Sequence, residues 1–309
     1  MTINDAHCHF LSARFFEKLG RDRYGADSGL DAERIATQFG WEPPGTPERL
    51  ADRWAGELDR YHVSRAALIA SVTGDEASVA AAVRQHPDRF VGFFALNPAS
   101  PGGNEAARRA FGEMGLRCAC LFPAMHRYQL DDERVMAVFE TAANHGGAIF
   151  AHCGYLSIEV RSKLGLPSAC DPRCGDPLAL AVTAARFPRV PVIVPHFGAG
   201  FLREALMAAE ACPNISFDTS SSNSWIKYYP GLTLAEVFRR ALAIVGPERL
   251  VFGTDSSYFP RGWRRVIHGA QQTILDELGV EPAVVEKIFG GNFDRLFPVE
   301  ATKTQKTEI

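Results

Sequence analysis

Eight short runs of apolar, β-branched and aromatic residues, each followed by a stretch with helical spacing, constrain this chain more than any other feature. They occupy residues 3–9, 66–72, 90–96, 118–122, 148–153, 190–196, 214–219 and 250–255. Helices are expected between them at 46–61, 75–85, 104–114, 131–145, 176–187, 201–211, 233–245 and 262–278. The first opens Thr46-Pro47-Glu48, a capping residue followed by proline at the first helical position. Strands alternating with amphipathic helices call for a parallel sheet, and runs that are apolar at nearly every position suit strands buried on both faces. Eight such units in 309 residues fit the α/β class as a (β/α)8 TIM barrel, with a doubly wound open sheet as the alternative.

Residues 10–45 break the rhythm and read as irregular. Because they follow the first strand directly, they are expected to form a small lid over the barrel mouth. Residues 281–297 read as an extra C-terminal helix and 299–309 as a polar tail, so that 1–298 is expected to be one barrel domain. At 46% hydrophobic and 22% charged, the chain can bury a sizeable core. A formal net charge of −3 leaves no basic footprint for nucleic acid, and no run of 18 apolar residues is present to span a membrane. The start, MTINDAHCHF, has neither a basic nor an apolar signal region, and seven cysteines, an odd number spread along the chain, do not suit a disulfide framework. The expectation is a cytoplasmic protein that acts on a small molecule, with helix faces that could support a homo-oligomer.

In a barrel of this kind chemistry lies at the C-terminal strand ends. There stand His7-Cys8-His9 on strand 1, His152 on strand 5, His196 on strand 6 and Asp255 on strand 8. His7 and His9 are two apart and share a face, which must be the interior, while Cys8 points away. Two imidazoles so spaced, a third from another strand and an aspartate suit Zn²⁺ or a similar borderline ion with room for a water. Any one of these histidines alone would read as a hydrogen-bonded core residue; together at strand ends they read as a metal centre.

At these residues the chain resembles the amidohydrolase superfamily, in the branch related to amino-carboxymuconate-semialdehyde decarboxylase. The likeness rests on Asp5-Ala6-His7-Cys8-His9, Ala151-His152-Cys153-Gly154, Pro195-His196-Phe197-Gly198 and Gly253-Thr254-Asp255-Ser256, with a closing segment from Lys287 to Phe297. The resemblance implies that His7, His9, His152 and Asp255 bind one divalent ion, that His196 lies beside the water or substrate, and that Asp255 doubles as proton acceptor. Zn²⁺ is the first expectation, although Mn²⁺, Fe²⁺ or Co²⁺ would suit the same donors. His196 as a fifth ligand stays open. Binuclear members of the family bridge two ions with a lysine or glutamate at the end of strand 4. Here that strand reads Cys118-Ala119-Cys120-Leu121-Phe122-Pro123, so one metal is expected.

Other signals are weak. Gly198-Ala199-Gly200 lacks the glycine or alanine that a dinucleotide fingerprint needs at Arg203, and Cys8 and Cys153 face away from the histidines. Aromatic residues and cations mix in the loops around Arg127, Lys227 with Trp225, and Arg261, as a site for a small carboxylated substrate would require. Singly, each cation reads equally well as a solvated loop charge, and Trp225 and Trp263 as lid packing. The hydroxyl run Thr219 to Ser222 could bind substrate or cap its loop. The leading functional reading is a mononuclear metal-dependent hydrolase that uses a metal-activated water on a C–O or C–N bond. A non-oxidative decarboxylase of an aromatic or muconate-type acid on the same site is the alternative, and a metal-free binding barrel is a third reading.

Overall fold

The computed structural model describes residues 1–26, 31–168, 170–221 and 223–299; Ser222 of the hydroxyl run and the tail from residue 300 lie outside them. All eight expected strands form: β1 Asn4–Phe10, β2 Arg65–Ala70, β3 Phe90–Leu96, β4 Cys118–Leu121, β5 Ala148–Ala151, β6 Val192–Val194, β7 Ile215–Asp218 and β8 Leu250–Val251. Their order in space equals their order in the chain, and each neighbouring pair is parallel. The seam between β8 and β1 is closed by the segment just past β8. Ala6 N–H donates to Phe252 O at 2.9 Å, His9 N–H donates to Ser256 O at 2.7 Å, and Cys8 bridges Ser256. The architecture is a (β/α)8 barrel.

Fourteen α-helical segments accompany the strands among the described residues. Two precede the barrel helices, α1 Ala13–Tyr24 and α2 Ala32–Gln38. The layer around the sheet holds α3 Pro47–Arg60, α4 Glu76–Gln85, α5 Gly103–Gly112, the single turn α6 Pro123–His126, α7 Glu133–His145, the short α8 Glu159–Lys163, α9 Pro177–Arg186, α10 Leu202–Ala211, α11 Leu234–Ile244 and α12 Arg265–Glu277. At the end come α13 Pro282–Glu286 and α14 Asn292–Leu296. The starts follow local chemistry: Thr46, Asp132, Asp176 and Thr233 each accept a backbone N–H of the first turn of α3, α7, α9 and α11. None of these helices is long and apolar enough to cross a membrane.

Side chains sort by the period of two. Ala67, Ile69, Val91, Phe93, Ala95, Cys118, Cys120, Phe150, Ile193 and Val251 fill the barrel interior. Their alternates, such as Leu68, Phe94, Leu121, Ile149, Val192 and Phe217, join Trp54, Leu58, Val138 and Phe238 of the helices in the outer layer. β1 departs from this rule. Asp5 pairs with Ala66 and Cys8 with Leu68, so one extra residue is inserted between them. Ala6 belongs to the inner cluster and Cys8 and Phe10 to the outer one, while His7 packs edge-on against the inner Phe150. Two consecutive residues, Ala6 and His7, thus face inward, and the alternation expected for His7, Cys8 and His9 holds beyond the bulge.

Three expectations need correction. Within 10–45, of which 27–30 lie outside the described residues, two regular helices form: α1 and α2 pack Phe15, Phe16, Leu19 and Ile35 with Val160, Leu164 and Tyr258 from the loops after β5 and β8. They cover the mouth side of the barrel as helices. The single helix expected at 281–297 is instead α13, a π-helical turn Lys287–Gly291 and α14. The wide turn contains Gly290, where a Cβ would lie 2.5 Å from Thr2 O. Beyond it Phe293 and Phe297 enter the inner cluster from below, and Arg65 donates to Asp294 Oδ1 at 2.7 Å and to Phe297 O at 2.8 Å. Finally, β5, β6 and β8 stop short of His152, His196 and Asp255, which stand in the turns that follow.

Candidate metal centre

The inward face of β1 sets the first two donors. His7 Nδ1 lies 2.6 Å from Asp218 Oδ2 and 3.1 Å from Ser220 Oγ. A carboxylate can only accept, so Nδ1 carries the proton and Nε2 keeps its lone pair. His9 Nδ1 lies 2.8 Å from Ser71 Oγ, whose own proton goes to Ile69 O at 3.0 Å. Nδ1 of His9 is therefore also the donor, and its Nε2 is free as well. The two Nε2 atoms are 3.3 Å apart, and Asp255 Oδ1 lies 3.2 Å from that of His9 and 3.7 Å from that of His7. Two lone pairs and a carboxylate oxygen converge, an arrangement that an ion among them, or a proton, makes favourable. The three donor atoms fall within 4.8 Å of one another.

His152 and His196 stand beside this group, with ring centroids 5.2 Å apart and His196 5.2 Å from His7. His152 lies outside the group formed by His7, His9 and Asp255. It is buried, and its Nδ1 has no hydrogen-bond partner among the described residues. Burial, helped by neighbouring His196 and His7, pushes its pKa down to about 3 and keeps the ring neutral. His196 is lowered too, by burial and by His7. Ser220 Oγ is 2.9 Å from His196 Nδ1 and 2.9 Å from Asp218 Oδ2. Its single proton can go to either, and that choice sets which nitrogen of His196 bears the hydrogen.

The backbone is arranged for these contacts. His196, Phe197 and Asp255 adopt left-handed φ of 54°, 53° and 57°, rare for residues with a Cβ and concentrated here at the site. Gly253 lets β8 approach His7 and Asp218: a Cβ there would lie 2.5 Å from Asp218 Oδ1 and 3.0 Å from His7 Cβ. Asp5, on the outward side of the bulge, accepts from His7 N at 2.9 Å, Thr254 N at 3.1 Å and Trp263 Nε1 at 2.7 Å, tying β1 to the residue before Asp255. Burial pushes the Asp255 carboxyl up, but the neighbouring imidazoles of His9 and His7 outweigh it and hold it well below the carboxylate range. For His7 burial pulls down, and the charge and bond of Asp218 overcome it, so its pKa is raised.

At the inward position past β4 the ring of Phe122 sits 5.8 Å from that of His152, where a bridging anion would otherwise stand. The substrate residues expected from the loops are scattered. Arg127, exposed and left-handed at the end of α6, is near Asp171. Lys227 lies exposed over Tyr228, and Arg261 stacks 4.3 Å over Tyr258 with Nη2 donating to Ser257 Oγ at 2.6 Å. Trp225 does not open onto the mouth. It is 1% exposed in the outer core beside Tyr229, and an indole in that layer packs the barrel wall. Sequence reasoning passed over Asp218 and Ser71 and read Ser220 only as a substrate or loop hydroxyl. The signal for Asp218 was its place at the end of β7, on the same face as Ser216 and Ser220.

Comparison with known proteins bears on the family and the fold. The family model Amidohydro_2, described as amidohydrolase, matches residues 4–299. No curated protein matches in sequence. Among solved structures, the chain is similar to 5-carboxyvanillate decarboxylase from Sphingomonas paucimobilis, at 16% identity and TM-score 0.62 over 96% of this chain and 99% of that one. It is also similar to a probable 2-pyrone-4,6-dicarboxylic acid hydrolase from Acinetobacter baumannii with citric acid bound, at 13% identity and TM-score 0.60 over 96% and 99%. An amidohydrolase from Burkholderia multivorans with bound zinc gives 14% identity and TM-score 0.62 over 97% and 100%. At such identities the structural likeness speaks to the fold alone.

Proposed function

We propose, from the premise that the chain belongs to the amidohydrolase family, that it is a mononuclear metal-dependent hydrolase acting on a C–O or C–N bond of a small organic substrate. The observation that carries this is the convergence of His7 Nε2, His9 Nε2 and Asp255 Oδ1 at 3.2 to 3.7 Å, with both imidazole Nδ1 protons already engaged. His7, His9, His152 and Asp255 would hold the ion, Zn²⁺ being the best match to three imidazoles and a carboxylate. When bound, a divalent ion supplies Lewis acidity and lowers the pKa of water toward neutrality. A single carboxylate among the donors neutralises only half its charge and favours that effect. Asp255, ionised and 19% exposed, would accept the proton of the attacking water. His196, neutral and coupled through Ser220 to Asp218, is placed to polarise the scissile group or to return a proton to the leaving group. Asp218 and Ser71 orient His7 and His9.

The test pairs elemental mass spectrometry of protein purified without chelator with product analysis in H₂¹⁸O. About one equivalent of metal per chain and ¹⁸O in the product support the reading. Carbon dioxide release with no ¹⁸O incorporated replaces it with non-oxidative decarboxylation on the same donors. Two equivalents, or none after reconstitution, overturn the mononuclear centre.

A further inference from the structure

The rim between β7 and β8 carries a cation that the sequence did not single out. Arg264, just before α12, is half-buried, and its backbone N–H donates to Ser256 Oγ at 3.0 Å. Its Nη1 donates to Ser221 Oγ, which in turn donates to Thr254 O at 3.0 Å. Both anchors are one residue from the site: Ser221 follows Ser220, which touches His7 and His196, and Thr254 precedes Asp255. The guanidinium is thus pinned beside the metal centre.

What it lacks is an anion. Arg65, Arg89, Arg134, Arg161 and Arg173 each hold a carboxylate at 2.6 to 2.7 Å. Arg264 holds none among the described residues, and none accepts from its Nε or Nη2, the edge that grips a carboxylate with two parallel bonds. Asp255 is the acidic group whose charge Arg264 feels, against the like charge of Arg261. A divalent ion on His7, His9 and Asp255 would consume that compensation. With Asp255 committed to the ion, the cation at the rim would be left over. A half-buried guanidinium with a free bidentate edge and no carboxylate bonded to it among the described residues suits an anion.

We propose that Arg264 holds a carboxylate of the substrate, so that the enzyme acts on an anionic, carboxylated molecule whose reacting bond lies toward His7, His9 and Asp255. This rests on the metal-dependent reading above and adds the substrate class and the residue that selects it. Arg261 is a weaker candidate because it is exposed and its guanidinium is spent on Tyr258 and Ser257.

The test uses the metal-loaded full chain and calorimetric titration with isophthalate and its neutral analogue isophthalamide, with metal content and Tm measured on every preparation. Wild type is expected to bind isophthalate at least tenfold more tightly than isophthalamide. Arg264→Met should lose that preference at unchanged metal content and unchanged isophthalamide affinity, and Arg264→Lys should recover part of it as a point charge without the fork. Arg261→Met should change isophthalate affinity less than threefold. Wild type without preference for the anion, or equal isophthalate affinity in wild type and Arg264→Met, overturns the assignment. Should Arg264→Met lower the Tm sharply, Arg264→Lys decides: full wild-type affinity there shows that the fork plays no part and overturns bidentate recognition. Wild type that takes up no metal sinks the metal-dependent reading instead, which separates the two failures.

Discussion

The two ends of one barrel interior are built to opposite rules. At the bottom, Phe93, Phe150, Phe293 and Phe297 stack with Ala67, Val91 and Val251 into a dry apolar layer, closed by the segment after the π-turn. At the top, the same inward positions carry His7, His9, His152, Asp218 and Asp255, all drawing on hydrogen bonds or on the ion they would hold. The difference lies in what each layer can tolerate. The lower one gains from burial at roughly 25 cal/mol per Å² and meets a polar group at its edge, where Arg65 donates to Asp294 and Phe297 O. The upper one places imidazole lone pairs and carboxylates in a space that burial alone would disfavour, and it becomes comfortable only when its charges are matched.

The sharpest break should come from His9→Ala, because His9 is part-exposed and its Nδ1 gives up only the bond to neutral Ser71. Metal content is expected to fall from about one equivalent to near none and turnover to background, while the Tm of the metal-free protein stays close to wild type. A large loss of Tm in the metal-free state would mean that the top layer also holds the fold together. Phe293→Ala should do the converse and lower stability by about 3–5 kcal/mol, read by urea unfolding, with unchanged metal stoichiometry in the folded fraction. Metal loss there would show the layers to be coupled.

Asp218→Asn is expected to weaken metal affinity ~10–100-fold by loosening the orientation of His7, measured by competition with a chelator. Wild-type affinity in that variant would leave Asp218 as a purely structural partner. In the metal-free protein, unfolded His152 takes up a proton below 6.5 whereas the folded residue resists until about 3. Stability should therefore fall on acidification through that window, by at most about 1.4 kcal/mol per pH unit from this residue. His7 acts in the other direction, since its contribution is present below 6.5 and is lost as pH rises through its raised value. Removing the acid-side slope with His152→Gln would confirm the source; an unchanged slope would refute it. Lys227→Ala should change least, within about 0.5 kcal/mol in stability and without effect on metal content.

The barrel was legible because strands buried on both faces cannot hide their composition, and because Thr46-Pro47 announces a helix start chemically. The lid helices were not legible. α2 has seven residues, and its apolar face is completed only by Leu164, Val160 and Tyr258 from distant loops. The convergence of His7, His9 and Asp255 followed from strand parity and from reading strand ends. Asp218, Ser71 and Arg264 did not follow, since an aspartate, a serine or an arginine at a loop edge has many ordinary uses. Only the closed barrel shows that one faces His7, another His9, and the third no carboxylate among the described residues.

The extra residue in β1 carries a consequence for how this chain can change. Substitutions at Ala6 or Cys8 alter local packing and one at Asp5 its bonds to His7, Thr254 and Trp263, but the site depends on a count. Delete one residue between Asn4 and His7, or add one, and the pair of imidazoles rotates toward the helix layer while Cys8 and Phe10 turn into the barrel. The reading frame of that strand is thus as much a part of the site as the two imidazoles it carries.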